Sequence, residues 1–225
     1  MTRTVTHAIL HRQWIHLLGL ALLLPPLVLA ARWEPVRAGA FLGLDSHTWF
    51  WLAAAIPVAH QTYVWLCWRL ELYGKRLSLR LGEWAFGLFA MGFAVLGLSR
   101  VAVVVILAVA NRGTLPVPEW LGQGLALLAL LPALYLFYSV KRYFGFRRAL
   151  GADHFDPSYR SLPLVKEGIF RYTSNGMYVY GFLILWVPAL WFTSAAALAI
   201  ALFNHLYIWV HYFATERPDM EEIYS

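Results

Sequence analysis

MYVYGFLILWVPALWFTSAAALAIALFNHLYIWVHYFA, residues 177–214, divides at Thr193-Ser194 into two apolar runs. The first, residues 177–192, is near the lower limit for crossing a bilayer, which takes about 20 helical residues. The second, residues 195–213, meets it, so a tight helical hairpin is predicted. Charged segments bracket the hairpin. Leu164-Val165-Lys166-Glu167-Gly168-Ile169-Phe170-Arg171-Tyr172 precedes it, and Thr215-Glu216-Arg217-Pro218-Asp219-Met220-Glu221-Glu222-Ile223-Tyr224 follows. Polar chemistry thus flanks a membrane-buried element on both sides.

Four further apolar runs lie upstream, at residues 14–31, 47–68, 84–110 and 117–140. Together they predict an all-α, polytopic transmembrane protein of about six spans. The composition agrees: 60% hydrophobic, 13% charged and 11 Trp in 225 residues lies outside the soluble range. Cytoplasmic loops carry an excess of Lys and Arg. With the N-terminus inside, one side collects Arg3, Arg12, Arg69, Lys75, Arg76, Arg80, Lys141, Arg142, Arg147, Arg148, Arg160, Lys166, Arg171 and Arg217, and the other keeps Arg32, Arg37 and Arg112. Both termini, the 141–171 segment and the last ten residues are therefore expected in the cytoplasm. The first run is read as a retained helix kinked at Pro25-Pro26 rather than a signal peptide. Short loops and the lack of a targeting signal point to a prokaryotic inner membrane. Cys67 is the only cysteine, which excludes an intrachain disulfide or a Cys-based metal site. The net charge of +6 reflects topology and anionic lipid headgroups, not nucleic acid. The chain reads as one integrated domain, with a four-span scaffold (1–140) followed by a functional module (141–225).

Residues 141–171 form a loop of about 30 residues, and loops of that length are disproportionately functional. It contains Gly145-Phe146-Arg147-Arg148-Ala149-Leu150-Gly151-Ala152-Asp153-His154-Phe155. Gly145 and Gly151 permit close backbone approach to a ligand, and the aromatic rings can stack on an adenine. The same stretch also reads as an interfacial segment anchored on lipid by Phe144, Phe146 and the arginines. Gly122-Gln123-Gly124 opens a span and follows no strand, which argues against a soluble-type dinucleotide fold. Polar groups within spans are costly and suggest function. These are Arg100, taken as a substrate contact, with His60, Gln61, Asn204, His205 and His211. His205 and His211 lie about 240° apart on a helix, an unsuitable spacing for paired metal ligands, so no metal is expected. Asn204 and His205 are read as interhelical hydrogen bonders.

The order Leu164-Val165-x-x-Gly168-Ile169-Phe170-Arg171, Ser174-Asn175-Gly176-Met177-Tyr178, hairpin, Glu216-Arg217-Pro218, Glu221-Glu222-Ile223-Tyr224 resembles a known group. These are the membrane-embedded isoprenylcysteine carboxyl methyltransferases and phosphatidylethanolamine N-methyltransferases, with the phospholipid branch the closer. The resemblance covers about 85 residues. The chain departs from it at Asn175, where many relatives have His, and at Arg217, where the phospholipid branch has a second Glu. The resemblance implies S-adenosylmethionine as cofactor, bound between the pre-hairpin loop and the acidic motif. Leu164, Val165 and Gly168 would give backbone contacts, Asn175 and Tyr178 would hold the methionine end, and Glu216 would meet the ammonium or ribose.

Methyl transfer from a sulfonium needs in-line alignment above all. An amine acceptor must also lose a proton, for which Glu221, Glu222, Asp153 and His154 are the candidates. A carboxylate acceptor needs no base. The resemblance implies a membrane-lipid acceptor, foremost an ethanolamine phospholipid headgroup, with the active site facing the cytoplasm. Carboxyl or thiol methylation of an isoprenylcysteine-like lipid is the enzymatic alternative. A non-catalytic lipid-binding or scaffold relative is the other, suggested by the replaced His and the end at Ser225.

Overall fold

The computed structural model describes residues 5–224; Arg3 and Ser225, used above, lie outside them. The chain is 81% helical and all-α, apart from a two-residue ribbon, β1 (Ala40–Phe41) with β2 (Leu44–Asp45). Four helices are long and apolar enough to cross a membrane, spanning Val5–Arg32, Trp84–Ala110, Glu119–Phe144 and Ala195–Ile223. A shorter apolar helix, Met177–Trp191, makes the hairpin with the last of these.

In chain order the helices are α1 (Val5–Leu10), α2 (Gln13–Arg32), α3 (Glu34–Arg37), α4 (Ser46–Gly74), α5 (Arg76–Leu81), α6 (Trp84–Ala110), α7 (Glu119–Ser139), α8 (Phe146–Ala149), α9 (Leu183–Trp191), α10 (Ala195–His211) and α11 (Arg217–Ile223). Helix α2 continues through Pro25-Pro26. Helix α4 occupies the second predicted span and packs on α6 and α10. It carries Pro57, and its His60, Gln61, Arg69 and Glu71 are buried. Bulky apolar side chains such as Trp14, Leu17, Trp84 and Leu98 face outward, as expected where lipid replaces water.

The hairpin turns at Thr193, whose φ of 47° breaks the helix, and Ser194 then caps α10 by accepting from the Ala197 N–H. Buried Asn111, at the end of α6, fastens that corner. Its amide donates to the carbonyls of Pro35 (2.7 Å) and Ala38 (2.8 Å), and its Oδ1 accepts from Ser194 Oγ and the Ala196 N–H, both at 2.9 Å. Helix α7 lies so close to α9 that a Cβ on Gly122 would stand 2.6 Å from the Leu190 carbonyl oxygen. The main core joins α2, α4, α6, α9 and α10 through Leu27, Phe50, Val104, Leu107, Leu185, Ile200 and Tyr207.

Helices α1 and α11 meet at the opposite, arginine-rich end of the bundle. Arg12, with φ of 62°, breaks α1 from α2, and the break exposes carbonyls that a continuous helix would use internally. Fully buried Arg69 of α4 takes them up, donating to the Ala8 (3.2 Å), Ile9 (3.1 Å) and His11 carbonyls. The same guanidinium donates to the Ala214 carbonyl (3.0 Å) and to Asp219 of α11 (3.0 Å). One side chain thus binds α1, α4 and α11 together.

Candidate active site

A cavity of about 380 Å³ runs into this end of the bundle, within the size range of small-ligand sites. Its outer part is walled by Trp68, Phe144, Phe146, Arg148, Gly151, Asp153, His154, Tyr178, Glu216 and Met220. Its inner part is walled by His60, Gln61, Phe93, Gly97, Arg100, Phe182, Leu185 and His211. Three π-helical turns supply lining residues: Val140–Phe144, Met177–Gly181 and Tyr212–Glu216. Such wide turns free backbone groups and shift side-chain register, and they recur at functional sites.

A buried polar chain holds the outer wall in place. Arg69 pairs with Asp219, whose Oδ2 lies 3.6 Å from His154 Nε2, ion-pair distance and just beyond a hydrogen bond. His154 Nδ1 lies 3.0 Å from Asp153 Oδ1. Tyr224 donates its hydroxyl hydrogen to Asp153 Oδ2 (3.1 Å). Arg148 donates to the Tyr224 hydroxyl oxygen (3.3 Å) and to the Pro163 carbonyl (3.1 Å). Aromatic contacts complete the attachment. The His154 ring stacks on Trp68 with centroids 4.2 Å apart, and Phe155 stacks on Phe89 of α6 at 5.2 Å. Gly151 is required at this contact, because its φ is 80° and a Cβ would come within 2.5 Å of the Trp68 ring.

Burial alone would push the His154 imidazole down, but the facing carboxylates of Asp153 and Asp219 outweigh it and raise its pKa to about 9. The ring is therefore an imidazolium at neutral pH. A folded-state pKa above the unfolded value stabilises fully below the unfolded pKa and loses that contribution as pH rises through the folded one. Here the window is 6.5 to about 9, corresponding to about 3 kcal/mol. The thermal midpoint of the purified protein is expected to hold at pH 6 and decline toward pH 9, and His154→Gln is expected to remove that decline. A parent midpoint as high at pH 9 as at pH 6 would contradict the assignment.

The structure brings together Gly151, Asp153, His154, Tyr178, Glu216 and Arg100 of the sequence-derived site. Tyr178 is buried at the start of the hairpin, edge-on to Trp209 and Tyr212. The Glu216 carboxylate makes no hydrogen bond or ion pair to the described residues, yet it faces the cavity. Leu164, Val165, Gly168, Asn175 and Gly145 are not in the lining. Leu164 is exposed, and Val165 packs beside Ile169 and Phe170 outside the cavity. Gly168 has φ of 59° and leaves room for Ser139, whose Oγ accepts from the Ile169 N–H. The Asn175 carbonyl accepts from the Tyr178 and Val179 amides as the hairpin begins. Glu221 pairs with Arg217 on the exposed face of α11, and Glu222 is also exposed. His205 accepts from Trp186 of α9 at 3.1 Å, a bond between helices, but Asn204 donates to Ile200 within its own helix.

The sequence alone does not single out Trp68, Arg69, Arg148 or Asp219 as site residues, and it marks His211 only as a polar group within a span. Asp219 had a legible signal: 216, 219, 220 and 223 form an i, i+3, i+4, i+7 stripe, which marks the inward face of a helix.

Residues 120–225 match the family model described as phospholipid methyltransferase. That region takes in α7, the following loop, the hairpin and α11, whereas the lining residues from α4 and α6 lie outside it. Over that stretch the chain is similar to phospholipid methyltransferases. No curated protein and no solved structure matches the chain.

Proposed function

From the phospholipid methyltransferase pattern carried by residues 120–225, we propose that this protein is an integral-membrane, S-adenosylmethionine-dependent methyltransferase that N-methylates an ethanolamine phospholipid headgroup. The active site faces the cytoplasm, where the arginine-rich end lies by the positive-inside rule. The observation carrying the reading is the single cavity that joins a charged, aromatic outer part to an inner part among the spans. A water-borne cofactor and a bilayer-borne acceptor need such a shared chamber.

The outer wall suits the cofactor. Unpaired Glu216 is the counter-charge for an ammonium group or a partner for ribose hydroxyls, and charge-assisted hydrogen bonds are about twice as strong as neutral ones. Trp68, Phe144, Phe146 and Tyr178 supply flat surfaces for an adenine. When bound, S-adenosylmethionine supplies a methyl group made electrophilic by the positive sulfur. The protein's own contribution is alignment, exclusion of water by Phe182 and Leu185, and removal of a proton from the acceptor amine. Asp153 is engaged by His154 and Tyr224, and His154 is already protonated. His211 is the better proton acceptor: it lines the cavity five residues before Glu216 and both its ring nitrogens lack hydrogen-bond partners among the described residues.

Titration calorimetry of the detergent-purified protein with S-adenosylmethionine and S-adenosylhomocysteine tests the reading. Saturable binding of both is expected. Methyl label transferred to lipid is expected to survive mild base, as an N-methyl group does. Base-labile label would indicate a methyl ester and an isoprenylcysteine-like acceptor, and no binding at millimolar ligand would leave a non-catalytic relative.

A further inference from the structure

Two arginines are buried within the long helices, and their surroundings differ sharply. Arg69 is saturated by Asp219 and backbone carbonyls. Arg100 is only 7% exposed, and its Nε and Nη2 have no hydrogen-bond partner among the described residues. Its guanidinium carbon stands 5.1 Å from the centre of the Phe182 ring. Position matters too, since Arg100 lies about 24 Å along α6 from Trp84 at 1.5 Å per residue, far from either end of the helix. A lone arginine in a span normally snorkels to the interface or pairs with an acid. Arg100 does neither among the described residues and lines the cavity instead.

Its neighbours on the wall are in the same state. Both ring nitrogens of His60, and both of His211, are buried without hydrogen-bond partners among the described residues, and Gln61 adds an amide to the lining. Asp153 and Glu216 are the carboxylates of the cavity, and both belong to its outer part. The inner part therefore presents a cation and hydrogen-bond donors with no anion to receive them, and an unpaired buried charge is among the costliest features a fold can keep. A ligand that brings the anion removes that cost.

We propose that Arg100, assisted by His60 and Gln61, binds the phosphate of the methyl acceptor inside the bundle, so that an anionic group on an apolar tail is required for recognition. The proposal deepens the methyltransferase reading and rests on it for the word acceptor, but the anion site itself stands on the geometry of Arg100. A cofactor carboxylate is the competing anion. It is disfavoured because the cofactor arrives from water and meets Glu216, Arg148 and the aromatic wall first, whereas a lipid phosphate enters with its own apolar chains.

The experiment titrates the parent protein, in a nonionic detergent, with dodecyl phosphate, dodecanol and inorganic phosphate, with no cofactor present. Dodecyl phosphate is expected to bind at least ~30-fold more tightly than dodecanol, as befits charge-assisted hydrogen bonds, and inorganic phosphate is expected not to compete. Arg100→Gln is expected to remove the preference for phosphate, Arg100→Lys to keep part of it, and both to bind S-adenosylhomocysteine within about threefold of the parent. Equal binding of dodecyl phosphate and dodecanol by the parent overturns the proposal without involving any variant. Competition by inorganic phosphate replaces the lipid with a free anion. Loss of S-adenosylhomocysteine affinity in Arg100→Gln, with the phosphate preference intact, assigns the arginine to the cofactor. Failure of S-adenosylmethionine binding by the parent, by contrast, defeats the enzymatic reading and leaves the dodecyl phosphate result standing.

Discussion

Replacing Arg69 by Ala is expected to cost the protein about 3–5 kcal/mol, the usual penalty for breaking a buried ion pair from one side. Asp219 would be left charged and buried, next to a His154 that already shares Asp153. The carbonyls of Ala8, Ile9, His11 and Ala214 would lose the same donor at once. Against a typical stability of about 5–15 kcal/mol this is a large fraction. The loss is also local, because this guanidinium ties both α1 and α11 to α4, with the Trp65 bond to the Ile9 carbonyl and the longer Tyr73 bond to Asp219 beside it. Thermal unfolding followed by tryptophan fluorescence should show a midpoint lower by several degrees, and trypsin should cut faster at Arg12, in the α1–α2 break. Arg69→Lys should rescue little, since one ammonium cannot reach the carboxylate and carbonyls on two separate helices that the guanidinium fork serves. An Arg69→Ala protein with the parent's midpoint would show that the ends are fastened by packing alone.

The helices were legible in the sequence because the signal that makes them, apolar runs of membrane-crossing length, is local. The hairpin was legible for the same reason, and the Thr193-Ser194 break falls where α9 ends and α10 begins. The site was legible only in part. Gly151, Asp153, His154, Tyr178 and Glu216 are gathered at one cavity, but linear order could not reveal that Leu164 is exposed while Val165 and Gly168 pack along the outside of the α7 end. The acidic motif shows the limit most clearly. The wide turn at Tyr212–Glu216 resets the helical register, so that Glu216, Asp219 and Met220 turn inward while Arg217 and Glu221 pair on the outer face. A motif read as a string gives Glu221 and Glu222 the same standing as Glu216, and the helix separates them. The partnership of Arg69 with Asp219, 150 residues apart, carries no signal in one sequence. The spacing of 216, 219, 220 and 223 can turn Asp219 inward, but nothing in it names Arg69 as the partner.

Glu216→Gln is expected to weaken S-adenosylmethionine binding by about 10- to 100-fold, the range for losing a hydrogen bond to a charged group. Glutamine keeps the shape and one acceptor oxygen, so the loss would isolate the charge. The carboxylate bonds no other described residue, and removing its charge breaks no internal pair, so the thermal midpoint should stay close to the parent's. That combination separates a binding role from a framework role, because Asp219→Asn, which disturbs the Arg69 and His154 pairs, should lower the midpoint as well as the affinity. Calorimetry with S-adenosylhomocysteine gives the affinities and fluorescence gives the midpoints. If Glu216→Gln binds as tightly as the parent, the cofactor's ammonium and ribose are held elsewhere. The outer wall would then have to be reassigned around Arg148 and Tyr178, the remaining polar groups that line it outside the buried chain from Arg69 to Asp153.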